Sequence, residues 1–177
     1  SAKVSNILLN VSEFENIDAA TESLVSMSQA YQELDKIDIV DKLNEVGNSF
    51  AISTDGLAVA LQKSASALKT SGNDIDEAIA LITAGNAVVQ DPLSVGAGIK
   101  TISLRLTGTE EGKKQLEELG EDTEGYITTV SKLRDTIMSA TKAAEGGQGF
   151  DILDDNGNYK STYEIMLGLA QLYDKIA

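Results

Sequence analysis

The chain has 177 residues, of which 42% are hydrophobic and 5% aromatic, with one proline and no tryptophan. Cysteine and histidine are absent, which excludes disulfides, zinc fingers, serine–histidine triads and metals held by histidine. The formal net charge of −14 disfavours direct binding to nucleic acid or to an anionic membrane, and no run of about eighteen apolar residues is present to span a bilayer. A core of Leu, Ile, Val and Ala with so little proline favours helices.

The first stretch, residues 4–34, has apolar residues spaced mostly in threes and fours, which predicts helix. These residues are Val4, Ile7, Val11, Phe14, Ile17, Ala20, Leu24, Met27, Tyr31 and Leu34. The spacing is irregular from Phe14 to Ala20, and Asp18 can cap a new start. The stretch is therefore either one long helix or two with a bend near Asn16. Its apolar seam packs inside its own domain or pairs with another copy as a coiled coil.

Three amphipathic helices are predicted next, beginning after Asp38. Their inner faces are assigned to Ile39, Leu43, Val46 and Phe50; to Leu57, Leu61, Ala65 and Leu68; and to Ile75, Ala78, Ile79 and Ile82. Hydroxyl groups in residues 53–56 can cap the second of these helices. Asp74 with Glu77 resembles a capping box that opens the third, which Gly85 interrupts.

The stretch from residue 86 to residue 108 contains the only proline, where a further helix is predicted to begin. Asp91 can accept hydrogen bonds from the free amides of the first turn, and Pro92 suits the first helical position. The inner face and the end of this helix are assigned to Val95, Ile99, Ile102 and Leu106, and to Gly108. Gly96 and Gly98 each cost about 1 kcal/mol relative to alanine, so we expect a close approach by a neighbouring helix. We interpret this helix as the central one.

Residues 109–124 are rich in glutamate and aspartate, with a thin apolar stripe of Leu116 and Leu119, and predict a short exposed helix ended by Gly120. An amphipathic helix with a long apolar face follows. Its predicted inner residues are Ile127, Val130, Leu133, Ile137 and Ala140. It ends at a flexible glycine-rich connector, Glu145–Gly149.

An Asn-Gly pair at residues 156–157 lies between two short runs, Phe150–Leu153 and Asn158–Lys160, and predicts a tight β-hairpin. Ser161 or Thr162 can cap a last helix. The inner face of that helix is assigned to Ile165, Leu169, Leu172 and Ile176.

The predicted fold is therefore all-α: a compact bundle of roughly seven or eight mostly antiparallel helices, with one short β-hairpin near residues 150–160. We expect a single helical domain over residues 1–177. A possible subdivision separates core helices in 1–109 from an acidic helix, a helix, the hairpin and a C-terminal helix in 110–177. Because the chain opens with Ser1 and Ala2 rather than methionine, we expect it to be excised from a longer chain.

Two segments invite a functional interpretation, and neither fits one well. Gly96–Thr101 faintly resembles a phosphate-binding loop, but Ile99 separates the glycine from the lysine and the helical periodicity continues through it. Asp151–Gly157 is similar to a calcium loop, but with Gly157 at the sixth position the first and twelfth ligands would be Ile152 and Tyr163. A plain turn is the better interpretation. We predict no catalytic, cofactor-binding or metal-binding residue and no cofactor.

Several segments resemble phage tail tape-measure proteins. They are Asp41–Ser53, Gln62–Leu68, Val88–Gly96 with Lys100–Arg105, and Lys160–Ile165. The third of these looks like the core region of that family. The resemblance covers most of residues 18–177 and leaves out the first fifteen or so residues.

The resemblance implies a structural, non-catalytic region of a phage or prophage protein that takes part in tail assembly and whose length sets the length of the tail. The implied partners are tail tube and tail-tip proteins, tail assembly chaperones and other copies of the chain, with no nucleic-acid or membrane binding. The implied location is the virion, after synthesis in the bacterial cytoplasm. The alternatives are a helical adaptor domain unrelated to phage tails and a cell-wall hydrolase module.

An extended helix gains about 1.5 Å of length per residue, whereas a bundle of short helices gains far less. We therefore expect this region to be a folded head or anchor, with the measuring stretch elsewhere in the parent chain.

Overall fold

The computed structural model describes residues 2–144 and 146–176, without the side chains of Asp174 and Ile176. Nine helices lie in these residues. They are α1 (Ala2–Asn10), α2 (Ile17–Ala30), α3 (Lys36–Ser49), α4 (Thr54–Thr70), α5 (Ile75–Val89), α6 (Pro92–Arg105), α7 (Glu110–Glu118), α8 (Val130–Thr141) and α9 (Thr162–Ile176). The all-helical prediction is confirmed, with slightly more helices than expected. The connector residue Glu145 and the inward position assigned to Ile176 lie outside this description.

The additional helix comes from the first stretch, which forms α1 and α2 rather than one continuous helix. The break falls at the irregular spacing after Val11. Asn16, rather than the predicted Asp18, is the N-cap of α2, and its side chain accepts a hydrogen bond from the Ala19 amide at 3.0 Å. Asp18 lies in the first turn instead, where its charge favours the positive end of the helix dipole.

The predicted β-hairpin is wrong. Around the turn at residues 154–158 the chain reverses direction, but the paired backbone is limited to one isolated bridge between Leu153 and Tyr159. The reason is that the start of α9 uses the residues that a second β-strand would need. Ser161 already forms a reciprocal cap with Glu164 at the start of α9, at 2.8 and 3.1 Å, so no residues remain on that side to extend a strand.

The structure divides into two units, a first unit of Ser1–Lys100 and a second unit of Thr101–Ala177, with the division inside α6. In the first unit α4 is the central helix, and it packs against α2, α3 and α5. Its buried residues occur all round the helix and include Leu57, Leu61 and Leu68. The prediction that α6 is central is therefore wrong, because its two buried apolar side chains in this unit cover far less surface than the leucine-rich α4.

Polar contacts show that the segments around α2 and α4 run in the same direction. The Glu13 amide donates to Asp55, and Glu33, twenty residues further on, pairs with Lys69. Ser23 donates to the Gln62 side chain at 2.7 Å between these two points. The intervening α3 therefore returns the chain to the starting end, which is consistent with antiparallel neighbours along the sequence.

The glycines of α6 have two different roles. Gly96 lies against α4, and a methyl group there would be 2.6 Å from the carbonyl oxygen of Ala60 and 2.8 Å from its Cα. The expected close approach is therefore confirmed at Gly96. A methyl group at Gly98 would meet nothing within 4 Å, so packing does not require that glycine. Gly85 does not interrupt α5, which continues through it to Val89.

The inner face of α6 differs from the prediction in its second half. Val95 and Ile99 are buried, but the next buried residues are Ser103 and Leu104, while Ile102 is 37% exposed. The spacing therefore continues in fours to Ser103, whose hydroxyl lies 2.9 Å from that of Thr162. The buried hydroxyl pair of Ser103 and Thr162 therefore lies on the inner face, where the apolar pattern predicted Ile102.

The second unit has a small apolar core of Leu133, Ile152 and Ile165, and Leu104, Leu116 and Leu172 are buried as well. Partly buried residues surround it: Leu106, Ile127, Ile137, Phe150 and Leu169. Hydrogen bonds supplement this core. Thr141 donates to the Ile137 carbonyl at 2.8 Å and accepts from the Phe150 amide at 2.6 Å, which joins α8 to the segment that follows it.

Candidate protein-binding groove

The segment that faintly resembles a phosphate-binding loop lies inside α6. A phosphate loop needs free backbone amides that converge on one point, whereas amides inside a helix are already bonded to carbonyls one turn earlier. The close contact between Gly96 and Ala60 gives that glycine a packing role.

The acidic segment at residues 151–157 is a turn whose carboxylates bind groups of the protein itself. Asp154 accepts hydrogen bonds from the amides of Asn156 at 2.9 Å and Asn158 at 2.8 Å, which lower its pKa. Asp151 accepts a bidentate pair from Arg134, with 2.7 Å between Nε and Oδ1, and these bonds lower the pKa of Asp151 to about 2. In the described part of the chain, no three acidic side chains are grouped so that they could hold a metal ion.

The feature that does suggest binding is an apolar groove of about 530 Å³ in the first unit, between the end of α3 and one face of α5. It is lined by Val46, Phe50, Asp76, Ile79, Ala80, Thr83, Ala84 and Ala87. We call this feature the α3–α5 groove. Three alanines and one threonine form most of its α5 side, so that helix presents a nearly smooth surface.

Large apolar side chains near the α3–α5 groove are unusually exposed. Phe50, at its edge, is 60% exposed, and Val88, one turn beyond Ala84 on α5, is 85% exposed. A single exposed apolar residue needs no explanation, whereas two large ones beside an apolar groove are typical of a surface that another molecule covers.

A smaller pocket of about 300 Å³ adjoins the groove, since Ala87 lines both. Its wall includes Asn86, whose side-chain amide donates to the Ala51 carbonyl at 3.0 Å. Gln90 also lines it, with a left-handed φ of 55° that turns the chain from α5 into α6. A concave surface of mixed polarity therefore continues from the groove to the start of α6.

Charge is distributed unevenly along this surface. Between residues 78 and 99 the sequence has one charged residue, Asp91. At the opposite end of the groove, Lys42 pairs with Asp76 at 2.7 Å. The hydrogen bond to Asp76 raises the pKa of Lys42, as do the nearby charges of Asp74 and Glu45. One end of the groove therefore has an excess of negative charge, and the other is apolar.

The sequence did not predict this groove. Val46 and Phe50 were assigned to the inner face of α3 with Ile39 and Leu43, and only the latter two are buried. The exposed and the buried residues follow the same helical spacing. Periodicity identifies an apolar face of a helix but does not show whether the rest of the chain covers all of that face. One available signal was α5, where no charged residue follows Glu77. A helix that lacks a charged face is expected to be covered on more than one side.

None of the helices in the described residues has the length and apolar character needed to cross a membrane.

A family model described as phage-related minor tail protein matches residues 3–177 of the chain. No solved structure matches it.

Proposed function

Because the chain belongs to the phage-related minor tail protein family, we propose that it is a structural region of a tape-measure protein, which takes part in tail assembly and in setting tail length. The family match over residues 3–177 is the observation that carries this proposal. The resemblance of Val88–Gly96 and Lys100–Arg105 to tape-measure core regions supports the narrower assignment. Membership of a phage tail family argues against an adaptor unrelated to phage.

We further propose that the region is not a catalyst. The sequence has no cysteine or histidine, and the acidic turn binds its own backbone and Arg134. These features favour the tape-measure role over the alternative of a cell-wall hydrolase module. Incubation of the purified chain with peptidoglycan is expected to release no soluble fragments. Release that increases with protein concentration would overturn this part of the proposal.

The proposed partners are other proteins of the tail: tube and tip proteins, assembly chaperones and further copies of the chain. The exposed apolar surface around the α3–α5 groove supports binding of this kind, since such a surface is stabilised when a partner covers it. The proposed location is the virion, after synthesis in the cytoplasm of a bacterium that carries the phage or prophage.

The folded structure bears on how the region contributes to tail length. If all 177 residues formed one extended helix, they would span about 265 Å at 1.5 Å per residue. The longest helix in the described residues, α4, has 17 residues. We therefore propose that this region acts as a folded body rather than as part of the measuring stretch.

In-frame deletion of the codons for residues 1–177 from the phage gene tests both the role in tail assembly and the folded-body role. Tails that fail to assemble, or that shorten by much less than about 265 Å in electron micrographs, are expected. Shortening by the full extended-helix length would refute the folded-body role. Normal tails of unchanged length and number would refute a role of this region in tail assembly.

A further inference from the structure

The shape of the α3–α5 groove suits a helix. Ala80, Ala84 and Ala87 recur at intervals of four and three, so they lie along one face of α5. Small side chains on that face allow a second helix to approach α5 closely, with its own side chains against the wall formed by Val46 and Phe50. From Asp76 to Ala87 the groove follows α5 for about 17 Å, which corresponds to about three helical turns.

The charges around the groove specify the partner further. Lys42 lies at the acidic end, beside Asp76, Asp74 and Glu45. These three carboxylates outnumber it, so a positive side chain of a partner is attracted there. The other end has no charge between Ala78 and Gln90, and therefore favours apolar side chains. A second copy of this chain fits less well, because each copy carries a net charge of −14.

We infer that the α3–α5 groove binds an amphipathic helix of a partner protein, with apolar residues on Ala80, Ala84 and Ala87 and a lysine or arginine at the acidic end beside Asp76. This is recognition of a helix in a groove, in which residues one turn apart supply the anchors. The charge at one end also sets the direction in which the helix binds. The inference rests on the proposed protein-binding role and adds the chemistry of one partner.

A labelled synthetic peptide of about 16 residues serves as the probe, with leucine and alanine on one helical face and lysines at one end. Its binding to the purified 177-residue chain is measured by fluorescence anisotropy. Saturable binding is expected, weaker by about tenfold or more in Ala84→Gln, because the longer side chain fills the alanine face. Ala97→Gln is the matched control, since Ala97 is exposed on α6 and does not line the groove. Circular dichroism establishes that both variants are folded.

A second peptide carries glutamate in place of every lysine. It is expected to bind at least about tenfold more weakly than the lysine peptide at low salt, with a smaller difference at high salt. Asp76→Asn is expected to reduce the same difference, because it removes one carboxylate from the acidic end. Equal affinity for the two peptides would overturn the charge assignment.

No saturable binding of the lysine peptide, or equal binding by the Ala84→Gln variant and the wild type, would also overturn the inference. So would self-association of the wild-type chain in sedimentation velocity that Ala84→Gln abolishes, since the occupant would then be a second copy. Each of these results leaves the tail-assembly proposal intact, because in-frame deletion tests that proposal separately.

Discussion

In the first unit, Leu24, Leu43 and Leu61 are at most 1% exposed, and they belong to three different helices that meet in one apolar core. In the second unit, Leu133 is 8% exposed and forms a small core with the fully buried Ile152 and Ile165, and Leu104, Leu116 and Leu172 are also buried. Hydrogen bonds between side chains and backbone, such as those of Thr141, also connect elements of the second unit. We therefore expect the units to differ in which interactions contribute most to their stability.

This difference has physical consequences. Apolar burial contributes about 25 cal/mol per Å² and changes little with pH or salt. A hydrogen bond between neutral groups contributes about 1 kcal/mol net, and an ion pair depends on both pH and salt. Substitutions that create cavities should affect the first unit most, and substitutions that remove polar partners should affect the second.

The largest effect is expected from cavity formation at the centre of the first unit. Leu61→Ala should lower the free energy of unfolding by about 2–5 kcal/mol, because Leu61 is fully buried in α4. Leu133→Ala should cost less, near the lower end of that range, because Leu133 lies in a smaller core. Urea unfolding followed by circular dichroism measures both. Leu93→Ala, at a half-exposed position, is the control, and a Leu61→Ala cost below that of Leu133→Ala would contradict the comparison.

The next largest effect concerns the contact of α6 with α4. Gly96→Ala should destabilise the first unit by about 1–3 kcal/mol, because the added methyl group meets the backbone of Ala60 at 2.6 Å. Gly98→Ala should instead stabilise it by about 0.5–1 kcal/mol, because the position is open and alanine favours helix. The two substitutions are therefore expected to shift the midpoint of thermal unfolding in opposite directions. Equal effects from the two substitutions would show that Gly96 has no special packing role.

Substitution of one threonine in each unit tests how much polar contacts contribute to the stability of that unit. Thr141→Val should cost the second unit about 1–3 kcal/mol, since the Phe150 amide loses its acceptor. Thr83→Val in the first unit should be neutral or slightly stabilising, because the Thr83 hydroxyl oxygen is buried without a hydrogen-bond partner among the described residues. Chemical denaturation measures both variants. A cost at Thr83 similar to that at Thr141 would argue against this difference between the units.

The smallest effect is a dependence on pH in the second unit. The hydrogen bond from Arg134 lowers the pKa of Asp151 to about 2, against about 3.9 in an unfolded chain. Stability from this carboxylate is therefore fully present above about pH 5 and is lost as the pH falls towards 2. Asp151→Asn should be less stable than wild type at pH 7, with the difference shrinking below about pH 4 and vanishing below pH 2. Asp155→Asn controls for the loss of one negative charge, and a difference that grows on acidification would contradict the assignment.

The sequence predicted best those features that depend on neighbouring residues. Ser53 caps α4, Asp74 and Glu77 form the capping box of α5, and the Asp91 side chain accepts from the Ser94 amide. Each of these contacts spans three residues, so the residue types alone specify it. The all-helical class was predictable for the same reason, since spacing in threes and fours is a local property.

Features that depend on distant contacts were not predictable. The centrality of α4 follows from helices that surround it, and its apolar pattern resembles that of its neighbours. Phe50 continues the apolar face of α3 in sequence but remains exposed, because no described part of the first unit covers it. The single bridge between Leu153 and Tyr159 reflects the competing cap at Ser161, which an Asn-Gly turn signal does not include.

The proposed subdivision between residues 109 and 110 and the division found at Lys100 lie close together, and both fall after the Asp91–Pro92 helix start. The expectation of a single domain over residues 1–177 stays a prediction. Urea unfolding in which the two units lose structure at different concentrations would favour the subdivision, whereas one transition by every probe would favour a single domain.

Hydrogen exchange measured by mass spectrometry on the 177-residue chain tests most directly the claim that the two units are stabilised differently. Amides of α4 should exchange slowest, since opening them requires the leucine core of the first unit to separate, and those of α7 and the 154–158 turn should exchange fastest. The same measurement at about pH 2 and at pH 7, after correction for intrinsic rates, should change protection more in the second unit. Equal protection of α4 and α8, with no difference between units on acidification, would contradict the account.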